Sequence, residues 1–199
     1  MSRFLHREDQ PERRIIAFGG VFDPVHNGHI AAAKKALALT QAEKVIFLPE
    51  RAPYRKHFCS AYEHRLKMLE VALESEPQLE VLDYPYDRQT ITGVFGWVAE
   101  KFPGAQFVWL LGVDSYRLLA GWENADSLQN LHVDEVIVAR RENAEQSDGS
   151  LLLQGVPVQF IATNYAQVSS SKIRQNPQDT RADLPERVYD YVQSHKLYA

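Results

Sequence analysis

Short apolar runs that end at glycine or proline alternate along this chain with longer stretches of helical periodicity. Ile15-Ile16-Ala17-Phe18 stops at Gly19-Gly20, and Lys44-Val45-Ile46-Phe47-Leu48 stops at Pro49, the signature of buried strands. Further strands are predicted over 79–82, 106–111 (closed by Gly112), 135–139 and 156–161. Between them lie predicted helices. Residues 28–39 are alanine-rich without a breaker. Over 60–74, Ser60 and Glu63 form a capping box and Leu66, Leu69 and Leu73 share a face. Helices are also predicted over 92–102, 126–131, 169–175 (one turn) and 184–195. Residues 1–14 predict a loose leader, and the polar stretch 141–149 lacks periodicity and predicts a surface loop.

Strands alternating with helices predict an α/β fold, a doubly wound parallel sheet covered on both faces with a small C-terminal helical part. A single domain over 15–199 suits the length. In such sheets ligands sit beyond the carboxyl ends of the strands, where strand order reverses.

Composition narrows the function classes. Hydrophobic residues make up 45% and charged residues 24%, the mix of a soluble globular protein. The formal charge of −4 argues against nucleic acid or an acidic membrane as a partner, yet allows a local basic pocket. With Cys59 alone there is no internal disulfide and no thiolate zinc site, and Phe58 and Ser60 beside it suggest packing. No apolar run is long enough to span a bilayer, and the N-terminus lacks a signal-peptide stretch, so a cytoplasmic protein is expected. The sequence does not reveal an oligomeric state.

The chemistry-bearing residues follow predicted strand ends. Gly19-Gly20-Val21-Phe22-Asp23-Pro24-Val25-His26-Asn27-Gly28-His29 lacks the glycine spacing of the dinucleotide fingerprint and the lysine of a P-loop. Its glycines let backbone amides approach a ligand. Asn27 is the predicted helix cap, which sets His29 in the first turn and His26 just before it, at a positive helix end suited to phosphate. A metal site is disfavoured because no Asp or Glu stands at ligand spacing. Capping or packing remains the bland alternative for both histidines. Ser169-Ser170-Ser171, ahead of Lys172-Ile173-Arg174, suits phosphate binding at a helix start better than a solvated linker.

Gly-Gly-x-Phe-Asp-Pro-x-His-x-Gly-His resembles the signature of the nucleotidyltransferase superfamily, specifically the nicotinate mononucleotide adenylyltransferases. Val168 to Arg174 resembles a second motif of that family. So do Gly112-Val113-Asp114-Ser115 followed by Trp122, His64 to Leu69, and Leu184 to Val192 followed by Leu197-Tyr198. The resemblance runs in order from about residue 15 to the end. It implies a Rossmann-like fold and transfer of AMP from ATP, with Mg2+, to nicotinate mononucleotide in NAD biosynthesis. Pyrophosphate would leave by in-line attack with no covalent intermediate, and the partners would be ATP and a pyridine mononucleotide.

By resemblance, His26, His29 and Arg174 are the catalytic residues. Gly19, Gly20, Phe22, Asp23, Gly28, Gly112, Asp114, Ser169, Ser170, Ser171 and Ile173 fall to ATP, with Asp114 on a ribose hydroxyl. Arg55, Lys56, Thr92, Trp122 and Arg140 fall to the mononucleotide, with Trp122 stacked on the pyridine ring and the mononucleotide phosphate open to Arg55, Lys56 or His57. Taken alone, Trp122 reads as packing, Asp114 as a helix cap and Arg140 as a surface cation. The family pattern is altered in Ala52-Pro53-Tyr54-Arg55-Lys56-His57 and Arg88-Gln89-Thr90-Ile91-Thr92-Gly93-Val94, both on the acceptor side. The alternatives are therefore nicotinamide mononucleotide, another phosphomonoester, CTP as donor, or a regulatory nucleotide binder without catalysis.

Overall fold

A computed structural model describes residues 13–53, 60–87, 90–119, 128–140, 152–165 and 167–199. Seven strands are present among them: β1 (Arg14–Gly20), β2 (Lys44–Pro49), β3 (Leu79–Val81), β4 (Gln106–Gly112), β5 (Val133–Arg140), β6 (Leu152–Leu153) and β7 (Val156–Ala162). The α-helices are α1 (Asn27–Thr40), α2 (Tyr62–Leu73), α3 (Ile91–Lys101), α4 (Val113–Leu119), α5 (Ser170–Gln175) and α6 (Glu186–Ser194). The sheet runs β3-β2-β1-β4-β5-β7-β6, parallel except for the final β6–β7 pair. Phe18 of β1 is in register with Phe47 on one side and Leu110 on the other. Strand order thus reverses between β1 and β4, where a doubly wound sheet opens its crevice.

Successive side chains point to opposite faces, and both faces are covered. Ile16, Phe18, Val45, Phe47, Val108 and Leu110 pack against α1, α2, α5 and α6 through Ala33, Met68, Ile173 and Val188. Ile15, Ala17, Ile46, Leu48 and Phe107 pack against α3 through Phe95 and Val98. No helix among the described residues is long and apolar enough to cross a membrane.

The predicted alternation holds, with local corrections. Arg14 belongs to β1, paired with Gln106, and its guanidinium meets Asp134 at 3.0 Å and Glu135 at 2.9 Å. Helix α2 begins at Tyr62 after Ala61, with no side-chain cap, so the Ser60–Glu63 box does not form. The Ser60 amide is drawn instead to Asp23. The buried stripe of α2 is Arg65, Met68, Leu69, Ala72 and Leu73, with Leu66 at its margin. Helix α4, which follows Gly112 directly, and strand β6 were not foreseen. The 126–131 segment is a 3-10 helix over Leu128–Leu131 in its described part. Residues 141–149 lie outside the described residues.

Candidate active site

The loop between β1 and α1 is held from several directions at Asp23. This side chain is 1% exposed. Its Oδ1 accepts the Tyr198 hydroxyl at 2.7 Å, and its Oδ2 accepts the Ser60 amide at 3.1 Å. Arg174 Nη1 donates to the Asp23 carbonyl at 2.6 Å and stands 3.8 Å from Oδ2. The next carbonyl, Pro24, accepts Ser170 Oγ at 2.9 Å. A buried carboxylate is costly without donors, and this one has them.

Arg65 governs the same region from below and is also 1% exposed. Its guanidinium donates to the carbonyls of Val21 (2.9 Å), Glu50 (2.7 Å), Arg51 (3.0 Å) and Ser60 (3.1 Å). One planar group with five N–H donors therefore ties the loop after β1 to the loop after β2. This role was not foreseen from the sequence. The available signal was an arginine at position i of the apolar series Met68, Leu69 and Ala72, spaced for one helix face.

The two histidines come together at the head of α1. Their rings stack with centroids 3.7 Å apart and planes 28° apart. His26, extended, is the residue that caps the helix, and Asn27 is its first turn. The expected Asn27 cap fails because its side chain reaches away to the Ala182 carbonyl at 3.0 Å, while its amide donates to Asp183 at 2.9 Å. The His26 amide donates to His29 Nδ1 at 3.2 Å, which puts the ring proton of neutral His29 on Nε2. Phe22 meets the His29 ring edge-on at 5.1 Å and is itself 3% exposed among Phe18 and Phe47. Burial lowers the pKa of His26 to about 4, and its Nδ1 is buried without a hydrogen bond.

The glycines divide into two kinds. A Cβ on Gly28 would lie 3.0 Å from His26 Cε1 and Nδ1, and one on Gly20 would lie 3.0 Å from the Phe22 ring. These two make room for the site's own side chains. A Cβ on Gly19 or Gly112 would meet nothing within 4 Å. Gly19 is the penultimate residue of β1 and Gly112 the last of neighbouring β4, so open space lies beside the backbone at the reversal of strand order.

Ser169 caps α5, accepting the Lys172 amide at 3.3 Å, and Ser171 Oγ lies 3.4 Å from Arg174 Nη2. Ile173 is wholly buried, so only its backbone can face a ligand. Asp114 lies in the first turn of α4, right after Gly112. Thr92 lies in the first turn of α3, but the cap is Thr90, which accepts the Gly93 amide at 3.0 Å. Arg140 ends β5 with its guanidinium 5.9 Å from the Phe160 ring centre. The structure therefore brings together His26, His29, Asp23, Ser170, Ser171 and Arg174, and sets Gly112 at the end of the adjoining strand β4 with Asp114 in the first turn of α4. Arg55, Lys56 and Trp122, with His57 and Cys59, lie outside the described residues. Among the described residues, no three of His, Cys, Asp and Glu converge as a metal site.

The cytidylyltransferase-like family profile matches residues 17–176. A relative from Neisseria meningitidis serogroup C, named "Probable nicotinate-nucleotide adenylyltransferase", is 31% identical over 198 residues, covering 94% of this chain and 98% of its own. A relative of the same name from Bacillus licheniformis is 30% identical over 194 residues with the same coverage. The solved nicotinic acid mononucleotide adenylyltransferase of Plasmodium falciparum, complexed with NaAD, has a TM-score of 0.75 at 19% identity, covering 94% of this chain and 97% of that one. At that identity the likeness concerns the fold.

Proposed function

The chain belongs to the cytidylyltransferase-like family and, within it, to the nicotinate-nucleotide adenylyltransferases, and we propose that its β1–α1 loop is where AMP passes from ATP to nicotinate mononucleotide. The observation that carries this assignment is the stacked His26–His29 pair at the head of α1, in the crevice where strand order reverses.

The nucleophile needs little activation. A phosphate monoester has its second pKa near 6, so the mononucleotide phosphate is mostly dianionic at neutral pH (pKa about 6). One of its oxygens attacks the α-phosphorus of ATP in line. The bond from that phosphorus to the oxygen bridging to the β-phosphorus breaks, and pyrophosphate leaves with the electron pair. The protein supplies position and charge. His29 offers Nε2–H to a phosphate oxygen, because its Nδ1 is occupied by the His26 amide. His26 is neutral in the free protein, and an incoming polyanion favours its protonation at the moment of need. Arg174, held toward the loop by the Asp23 carbonyl, and Ser169, Ser170 and Ser171 face the departing β,γ-phosphates.

Gly19 and Gly112 leave the crevice open to ATP, and Asp114 takes a ribose hydroxyl. Gly20 and Gly28 fit the loop around Phe22 and His26. Arg55 or Lys56, Thr92, Trp122 and Arg140 serve the acceptor, a role that rests on the family resemblance. Mg2+ would travel with ATP. The donors present suit an ion held mainly by phosphate oxygens and water, since both Asp23 oxygens already have donors. It would neutralise phosphate charge. We place the enzyme in the cytoplasm, as one catalytic domain from about residue 15 onward.

The test is pyrophosphate release from ATP against a panel of phosphomonoesters. Release with nicotinate mononucleotide far above nicotinamide mononucleotide supports the assignment. Release with neither points to another acceptor, and no release with any acceptor or with CTP overturns catalysis. His29→Ala should lower turnover by about 100-fold or more, the usual loss when a transition-state donor is removed, while the protein stays folded. A folded variant with near-normal turnover would refute its role.

A further inference from the structure

The final turn of the chain reaches into the candidate site. After α6, Leu197 donates its amide back to Val192 at 3.0 Å, and Lys196 and Tyr198 take positive φ values of 51° and 67°. This double bend folds the Tyr198 ring inward against the core under α2, with its oxygen 4.0 Å from Met68 Sδ. The hydroxyl ends 2.7 Å from Asp23 Oδ1, across 175 residues of sequence. Burial, reinforced by the Asp23 carboxylate, holds the phenol pKa well above its ordinary value, so the hydroxyl keeps its proton and donates.

The same C-terminal segment also holds the other end of the loop. Just before α6, the carbonyls of Ala182 and Asp183 accept the Asn27 side chain and amide. The five residues Asp23, Pro24, Val25, His26 and Asn27 are thus gripped at both ends by one stretch of chain. Val25 is fully buried, which adds a fixed point between the grips. His26 lies inside the gripped span, and His29 is bonded to the His26 amide. Arg174 is bonded to the carbonyl of Asp23 itself.

We infer that Tyr198 is a positioning residue for the nucleotidyl-transfer site: its hydroxyl fixes Asp23, and through Asp23 it fixes His26, His29 and Arg174 together. Without that donor one oxygen of a buried carboxylate is left uncompensated, and Asp23 must turn or shift to regain a partner. Any turn moves the carbonyl that Arg174 uses and the peptide that leads to His26. A hydroxyl-to-carboxylate bond of this length is among the stronger ones available to a side chain. The inference rests on the reading of His26, His29 and Arg174 as the working groups.

Tyr198→Phe removes the hydroxyl and keeps the ring. The expected result is a fall in kcat of about tenfold or more, because a small misplacement of catalytic groups is amplified in rate, with KM for the mononucleotide within about threefold. In an Asp23→Asn background the same change should add less than about twofold, since the two residues act as one unit. The imidazole nitrogen shifts of His26 and His29 in the unliganded protein should move in Tyr198→Phe, and those of His132 at the far end of the sheet should not.

A lower Tm with unchanged kcat and unchanged His26 and His29 shifts would overturn the inference, leaving Tyr198 as a staple for the C-terminus. Full additivity with Asp23→Asn would overturn it as well. Should wild-type protein release no pyrophosphate with any acceptor, the adenylyltransfer reading fails. The imidazole shifts then decide the positioning role by themselves, with movement in favour and stillness against.

Discussion

The two ends of the sheet treat charge in opposite ways. At the amino ends of the strands, Arg13 meets Glu43 at 2.5 Å, Arg14 meets Asp134 and Glu135, and Lys44 meets Glu80 at 2.9 Å. These side chains are all partly open to water. At the carboxyl ends Arg51 and Asp83 form one similarly open pair, but Arg65 and Asp23 are each 1% exposed, and their hydrogen bonds go largely to main-chain groups. Exposed pairs exchange water for a partner and gain roughly 0.2–1 kcal/mol each. Buried charges solvated by backbone do something else. They dictate where the chain must run, because every carbonyl that turns away leaves a donor bare. The difference separates an end that merely tolerates charge from an end that is shaped by it.

The sharpest way to break this contrast is Arg65→Met, which keeps much of the volume and removes the donors. Loss of four charge-assisted bonds should destabilise the fold by about 3 kcal/mol even after relaxation and water entry. For a chain of this size that is a fall in Tm of roughly 6–12 °C, read by calorimetry. Adenylyl transfer should fall with it even well below the new Tm. A variant that melts early yet turns over normally would show that the clamp holds the fold and not the site.

The next effect is a pH dependence. His26 has its pKa lowered from 6.5 to about 4 by burial, so the unfolded chain binds the proton first. Its contribution to stability is complete above about pH 6.5 and is lost progressively as the pH falls toward 4. The maximum loss is about 3 kcal/mol, from 1.36 kcal/mol per unit. Urea unfolding of wild type and His26→Gln at pH 7, 5.5 and 4 isolates it. The wild type should lose ground to the variant on acidification, and parallel curves would mean that His26 is not buried neutral.

Gly28→Ala is a smaller test at the same end. Alanine suits a helix better than glycine by up to about 1 kcal/mol, but the tight contact with the buried His26 ring offsets that gain, so stability should change by less than about 1 kcal/mol. The new Cβ would press on the His26 ring from 3.0 Å, and turnover should drop by about tenfold. The least effect belongs to the amino end. Arg13→Ala should cost less than about 0.5 kcal/mol and leave turnover unchanged. A larger loss there would erase the distinction between the two ends.

Much of this architecture is legible in sequence because it is local. Apolar runs stopped by Gly19-Gly20, Pro49 and Gly112 mark strands at the crevice, and the loop motif carries both histidines on its face. What escapes is set by distant partners. Asn27 loses its capping role to carbonyls at 182 and 183, and Ser60 loses its box to Asp23, although each looks right within its own window. Arg65 and Tyr198 are legible only as motif neighbours, since nothing local says that their polar ends converge on a loop after β1. The acceptor side is the least readable, because Trp122, Arg55 and Lys56 are tied to it by resemblance alone.

The Arg65 clamp has a consequence for how this enzyme can drift over generations. All four of its acceptors are main-chain carbonyls, at Val21, Glu50, Arg51 and Ser60. A carbonyl is common to all residues, so mutation at those positions changes the decoration and not the anchor. Glu50, Arg51 and Ser60 can therefore exchange side chains while the chain at those positions stays tied to the loop after β1. Ala52 to His57, altered from the family pattern, falls in sequence between those anchors, so one arginine secures the flanks of a stretch whose letters have changed.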